Sequence, residues 1–84
     1  MSYHVNLQKK AIKALIKINE PHYSNLKSAI YNLAEDPRPN GYIKLKDRSG
    51  YRIRVGNYRI IYEIFDKELI IDVILLGHRK DIYD

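Results

Sequence analysis

Apolar positions in this chain follow a helical period in the first half and a period of two in the second, and a proline-containing segment separates the two regimes. The stretch "YHVNL", residues 3 to 7, alternates as a short opening strand. In "KKAIKALIKI", residues 9 to 18, Ala11, Ile12, Leu15 and Ile16 fall at helical spacing, which predicts an amphipathic helix that buries those four residues. "NEPHYSNLKSAIYNLAED", residues 19 to 36, predicts a second helix with Asn19 as N-cap, Pro21 in its first turn and a stripe of Tyr23, Leu26, Ile30 and Leu33. The short break between them predicts an antiparallel pair. "DPRPNG", residues 36 to 41, ends helical structure because Pro37 and Pro39 each steer the preceding residue out of αR.

The alternating regime begins in "YIKLKDRSG", residues 42 to 50, with Ile43 and Leu45 directed one way and Lys44 and Lys46 the other. In "YRIRVGNYRIIY", residues 51 to 62, two apolar runs flank Gly56-Asn57, the signature of a hairpin closed by a two-residue primed turn. Setting Val55 opposite Tyr58 pairs Arg54 with Arg59, Ile53 with Ile60, Arg52 with Ile61 and Tyr51 with Tyr62. Alternation then puts Tyr51, Ile53, Val55, Tyr58, Ile60 and Tyr62 on a core face and Arg52, Arg54 and Arg59 on the other. "ELIIDVILLG", residues 68 to 77, is apolar almost throughout, which predicts a strand covered on both faces, and a turn at Asp66-Lys67 sets Ile74 opposite Arg59. The expected order is β-α-α-β-β-β-β. That is one α+β domain over residues 1 to 84: a two-helix antiparallel hairpin on one face of a largely antiparallel twisted sheet, with a short C-terminal tail.

Composition narrows the partners. The formal charge of +5 and a sequence pI of about 9.5 favour a polyanion, and the 8 tyrosines offer flat faces on which bases stack. Cysteine is absent, which removes disulfides, thiolate metal sites and a cysteine nucleophile. His4 and His22 read as surface or helix-end residues, and no His/Asp/Glu spacing suggests a metal or cofactor. "MSYHVNLQKK" lacks the apolar core of a signal peptide, and the longest apolar run, "LIIDVILL", is broken by Asp72. A soluble cytoplasmic protein with no membrane partner is expected.

The candidate chemistry lies on the arginine face. Like charges directly opposite one another weaken a sheet, so an Arg54/Arg59 pair makes sense where an anion sits between them. A single arginine on a solvated face needs no such account, because its stem covers apolar surface; three converging from adjacent strands do. The tail "GHRKDIYD", residues 77 to 84, leaves the sheet near the same row and adds His78, Arg79 and Tyr83, and Lys44 and Lys46 extend the cationic surface. Arginine suits phosphodiester binding because its planar fork donates two parallel hydrogen bonds and keeps its charge. The lysines of the first helix, Lys9, Lys10, Lys13 and Lys17, form a solvated face that is also able to hold an RNA backbone. Asp81 and Asp84 lie near enough to pair with the arginines.

From Lys44 onward, and above all in "YRIRVGNYRIIY" and "GHRKDIYD", the chain resembles the RelE/ParE toxin superfamily, and its ending is closer to the RelE branch than to the ParE branch. The resemblance implies a toxin of a type II toxin-antitoxin system that cleaves mRNA in the A site of the 70S ribosome, without a metal or other cofactor. It also implies a RelB-like antitoxin partner in a hetero-oligomer. The RelE branch's active-site positions fall on Arg52, Arg54, Arg59, Arg79 and Tyr83. That set implies attack of a ribose 2′-hydroxyl on the adjacent phosphate, leaving a 2′,3′-cyclic phosphate and a 5′-hydroxyl. The first two positions are commonly lysines in the best-known branch, and an arginine is no useful general base. His78, Tyr83, Lys46, the ribosome or solvent remain candidates for that role. The alternatives are a ParE-like inhibitor of DNA gyrase without nuclease chemistry and an inactive nucleic-acid-binding relic.

Overall fold

The computed structural model describes residues 2 to 82. Its elements are β1 (His4–Leu7), α1 (Lys9–Ile16), α2 (His22–Leu33), β2 (Ile43–Lys44), β3 (Tyr51–Val55), β4 (Tyr58–Phe65) and β5 (Ile70–His78). The five strands form one sheet in the order β1-β5-β4-β3-β2, with β1 parallel to β5 and the other pairs antiparallel. Both helices cover one face. There Ala11 and Leu15 of α1 and Leu26, Ile30 and Leu33 of α2 enclose Ile53, Ile60, Tyr62, Ile71, Val73 and Leu76. The other face carries no helix.

The hairpin pairs as its turn dictates: Val55 with Tyr58, Arg54 with Arg59, Ile53 with Ile60, Arg52 with Ile61 and Tyr51 with Tyr62. Gly56 supplies the positive φ, +60°, that a primed turn requires at this point. The next register differs from expectation. The β4-β5 connection uses four residues, Asp66 to Leu69, with Leu69 in the left-handed region at φ 55°. A bulge between Ile61/Leu75 and Tyr62/Val73 then leaves Ile74 without an opposite partner. Together they place Gly77, not Ile74, opposite Arg59. The bulge also resets the alternation, so Val73 and Leu76, three apart in sequence, both reach the core.

Other local expectations shift as well. In α1, Ala11 and Leu15 are buried, but Ile12 and Ile16 are 45% and 68% exposed, and Ala14 and Ile18 complete the packed stripe instead. The helix's rotation is set at its start: the Gln8 N–H donates to the Val73 carbonyl (2.9 Å) and the Gln8 amide donates to Asp72 (2.7 Å). At α2 the cap position is Pro21 and not Asn19, and the N–H (3.0 Å) and hydroxyl (2.7 Å) of Ser24 in the first turn donate to the carboxylate of Glu20, just ahead of the helix. β5 is fully buried only on the helix side, and Ile70, Ile74 and Leu75 keep partial exposure on or near the open face. β2 is two residues long, after which the Leu45 N–H closes onto the Gly50 carbonyl (3.0 Å).

The proline segment is fastened across the sheet. The Tyr62 hydroxyl donates to the Pro37 carbonyl (2.7 Å), and burial raises that phenol's pKa above its ordinary value. Arg38 grips Asp66 with both terminal nitrogens (3.4 and 3.0 Å) and lies over the Tyr51 ring, 5.5 Å from its centroid. The Tyr3 hydroxyl gives Asp66 a further bond of 2.6 Å, so the connection from α2 to β2 is tied to the β4-β5 turn and to the N-terminal strand.

Candidate functional site

On the open face, hairpin register alone brings three guanidinium-bearing residues together. Arg54 stands directly opposite Arg59, and Arg52 is two residues along β3 from Arg54. Their exposures differ. Arg52 is 4% exposed, Arg59 is half-buried and Arg54 is exposed. Burial, followed by the nearby charges of Arg54 and Arg59, lowers the pKa of Arg52 from its ordinary value. The fold therefore gathers three guanidinium groups in one row with the innermost largely desolvated, a setting in which their attraction for a phosphate oxygen is weakly screened.

The corrected β4-β5 register carries the tail to this row. The Arg79 N–H donates to the carbonyl of Asn57 in the hairpin turn (2.8 Å), and the Asp81 and Ile82 N–H groups close a turn on the His78 carbonyl (2.8 and 3.2 Å). Ile82 then folds back over Gly77. A Cβ built on Gly77 would sit 3.1 Å from the Ile82 Cγ1, so any side chain here would push Ile82 back by a few tenths of an ångström, and glycine permits the close return as it stands. The Ile82 carbonyl accepts from the Arg59 Nη1 at 3.1 Å. Sequence reasoning missed Ile82, and it read Gly77 and Asn57 only as a tail residue and a turn residue, because Ile82 and Asn57 act through backbone carbonyls and Gly77 through an absent side chain.

Not every candidate joins the row. His78 pairs with Tyr58, which puts it on the helix side, away from the arginines. Its ring stands edge-on to Tyr58 at 5.5 Å, and its Nδ1 accepts from the Lys80 N–H at 3.2 Å. His22, at the start of α2, lies 5.1 Å from the other partner of this stack, Tyr58. Arg79 is exposed beside the hairpin turn, and Asp81 makes no ion pair among the described residues. Tyr83 and Asp84 lie outside the described residues. Lys9, Lys10, Lys13 and Lys17 are exposed on α1, behind the sheet from the arginines. Lys44 stands in register with Tyr51 and thus outside the arginine row, a correction that follows from Ile43 pairing with Arg52. Lys44 and Lys46 nonetheless line a cavity of about 170 Å³ with Arg52 at the β2 edge. Glu63, four residues beyond Arg59 on β4, stands opposite Asp72 and accepts from the Ser49 hydroxyl at 2.6 Å.

Fold and site together define a class: a two-helix, five-stranded α+β domain with an arginine row on its uncovered sheet face and a C-terminal tail folded onto the end of that row. Residues 5–83 match the family model described as the ParE toxin of type II toxin-antitoxin system, parDE. The chain belongs to this RelE/ParE superfamily of toxins and is of the RelE type. The mRNA interferase toxin RelE of Escherichia coli K12 is 26% identical over 82 residues, covering 95% of this chain and 86% of that protein. The RelE-RelB complex from Pyrococcus horikoshii contains a chain with TM-score 0.84 and 31% identity, covering 98% of this chain and 100% of that one. The RelB-RelE complex from Methanococcus jannaschii gives a TM-score of 0.75 at 30% identity, covering 94% and 95%.

Proposed function

We propose that this toxin is a cytoplasmic, ribosome-dependent mRNA endonuclease, held inactive by a cognate antitoxin. The observation that carries the reading is the row of Arg52, Arg54 and Arg59, with Arg52 desolvated beside its two neighbours. The names of relatives support it, since one is an mRNA interferase and others were solved as toxin-antitoxin complexes. In the reaction the ribose 2′-oxygen attacks the adjacent phosphorus as its proton leaves to a base, and the 5′-oxygen departs and takes up a proton. The products are a 2′,3′-cyclic phosphate and a 5′-hydroxyl. Negative charge on the phosphoryl oxygens grows toward the pentavalent transition state, and fixed guanidiniums favour that state over the ground state. They supply charge that a metal would otherwise bring.

An arginine does not serve as the base. His78 faces the helices, which leaves Lys46, Tyr83, the ribosome or solvent for that step. Arg79 and the Tyr83 phenol are assigned to the phosphate and to a stacked base. The antitoxin is proposed to cover the helices and part of the sheet, where Ile12 and Ile16 stand exposed among lysines.

In vitro translation with purified protein and primer extension on the message tests this. Cuts confined to ribosome-bound mRNA are expected, whereas an intact message with inhibited DNA supercoiling would move the assignment to gyrase. Arg59→Ala should lower kcat by roughly 10²-fold with a smaller effect on binding. An unchanged rate removes Arg59 from the site.

A further inference from the structure

Beside Arg52 the open sheet face is indented by a cavity of about 170 Å³, lined by Ile43, Lys44, Leu45, Lys46, Asp47 and Arg52. It is smaller than the roughly 300–1,000 Å³ of sites that enclose drug-sized ligands, so its size suits one planar heterocycle and not a whole nucleotide. Leu45 is buried, and Ile43 is 45% exposed in register with Arg52, so apolar surface borders a guanidinium. Aliphatic surface beside a guanidinium plane is a stacking environment for a base. The remaining wall is polar. Asp47 is exposed and makes no hydrogen bond or ion pair among the described residues.

A carboxylate here works against the arginine row, since it repels the phosphate that the row attracts. It gains a use when the ligand brings hydrogen-bond donors, because an ionised carboxylate only accepts. Adenine, cytosine and guanine each present an exocyclic amino group. Uracil presents one N–H between two carbonyl oxygens, and those oxygens meet the carboxylate as like partners. Arg52 belongs both to the cavity and to the arginine row. A phosphate held on the row would thus have this cavity beside it, on the side of Arg52.

We propose that the cavity is a base subsite for the nucleotide adjoining the bound phosphate, and that Asp47 makes it selective for amino-bearing bases over uracil. This rests on the reading that the arginine row binds a phosphodiester. Discrimination arises as for any site built around a polar partner: the wrong base leaves the carboxylate unpaired and facing oxygen.

Titration of the ¹⁵N-labelled protein with the four nucleoside 3′-monophosphates tests the subsite without requiring cleavage. Shifts are expected at Leu45, Asp47 and Arg52, with uridine 3′-monophosphate about tenfold weaker than the other three. Asp47→Asn, whose amide both donates and accepts, should reduce that gap to about threefold or less and still bind the nucleotides. Equal affinity for all four in the parent protein, shifts confined to another surface, or an unaltered gap in Asp47→Asn overturns the proposal. Cut-site mapping in translating extract separates it from the nuclease reading. A parent protein that leaves mRNA intact defeats that reading, while the titration still decides the subsite. A parent protein that cuts, with Asp47→Asn giving the same map, defeats the subsite alone.

Discussion

Arg54 and Arg59 show at the scale of a residue how function opposes stability. They face one another across the hairpin, a position where opposite charges help a sheet and like charges weaken it. Arg54→Ala is therefore expected to raise stability by about 0.5 kcal/mol while lowering RNA cleavage. Urea denaturation checks the first part: the midpoint should rise with an unchanged slope, and a fall of similar size would show that Arg54 supports the fold. This opposition was legible from the sequence, because Gly56-Asn57 fixes the register and alternation does the rest. The desolvation of Arg52 was not, since it depends on how Leu45 and the β2-β3 loop settle against β3.

At the scale of elements, the tail and β5 matter most. The apolar run of β5 gave no phase, because nearly every position could face a core. Only the four-residue turn and the bulge decide that Gly77 meets Arg59. With glycine there, Ile82 packs back and its carbonyl reaches Arg59. Gly77→Ala should displace Ile82, a flexible side chain at the chain's end, at a cost of under about 1 kcal/mol to global stability. Amide exchange at Asp81 and Ile82 should quicken markedly compared with the parent protein, and identical protection would mean the tail accommodates the methyl group. In α1 the lysine spacing announced an amphipathic helix, yet the choice between Ile12/Ile16 and Ala14/Ile18 as the packed edge came from Gln8 anchoring the helix start to β5.

For the whole molecule, pH sets limits at both ends. Arg38 and the Tyr3 hydroxyl hold the Asp66 carboxyl below its ordinary pKa, and Ser24 does the same for Glu20. Groups lowered on folding contribute stability above their unfolded values, near 4, and lose it as pH falls through the folded ones. Burial raises the Tyr62 phenol, so its contribution is present below its unfolded value, about 10, and is lost at higher pH as the unfolded chain ionises. Urea midpoints measured across pH should form a plateau with an acid and an alkaline flank. Asp66→Asn should lower the plateau and flatten the acid flank; an acid flank as steep as the parent's would place the sensitivity elsewhere. No helix among the described residues is long and apolar enough to cross a membrane.

The sequence by itself determined what rests on local rules: the order of elements, the hairpin register and the gathering of three arginines on one face. Each follows from period, turn chemistry and alternation, which act over a few residues. Tertiary structure decided what depends on elements meeting at a distance. His78 turns to the helices, Gly77 instead of Ile74 meets Arg59, Glu20 receives the Ser24 N–H at the start of α2, and Asp47 comes to share a cavity with Arg52. The physical reason is common to all four. A bulge, a turn length or a side chain reaching across a gap costs little locally, and packing and hydrogen bonding between separate elements select among the alternatives.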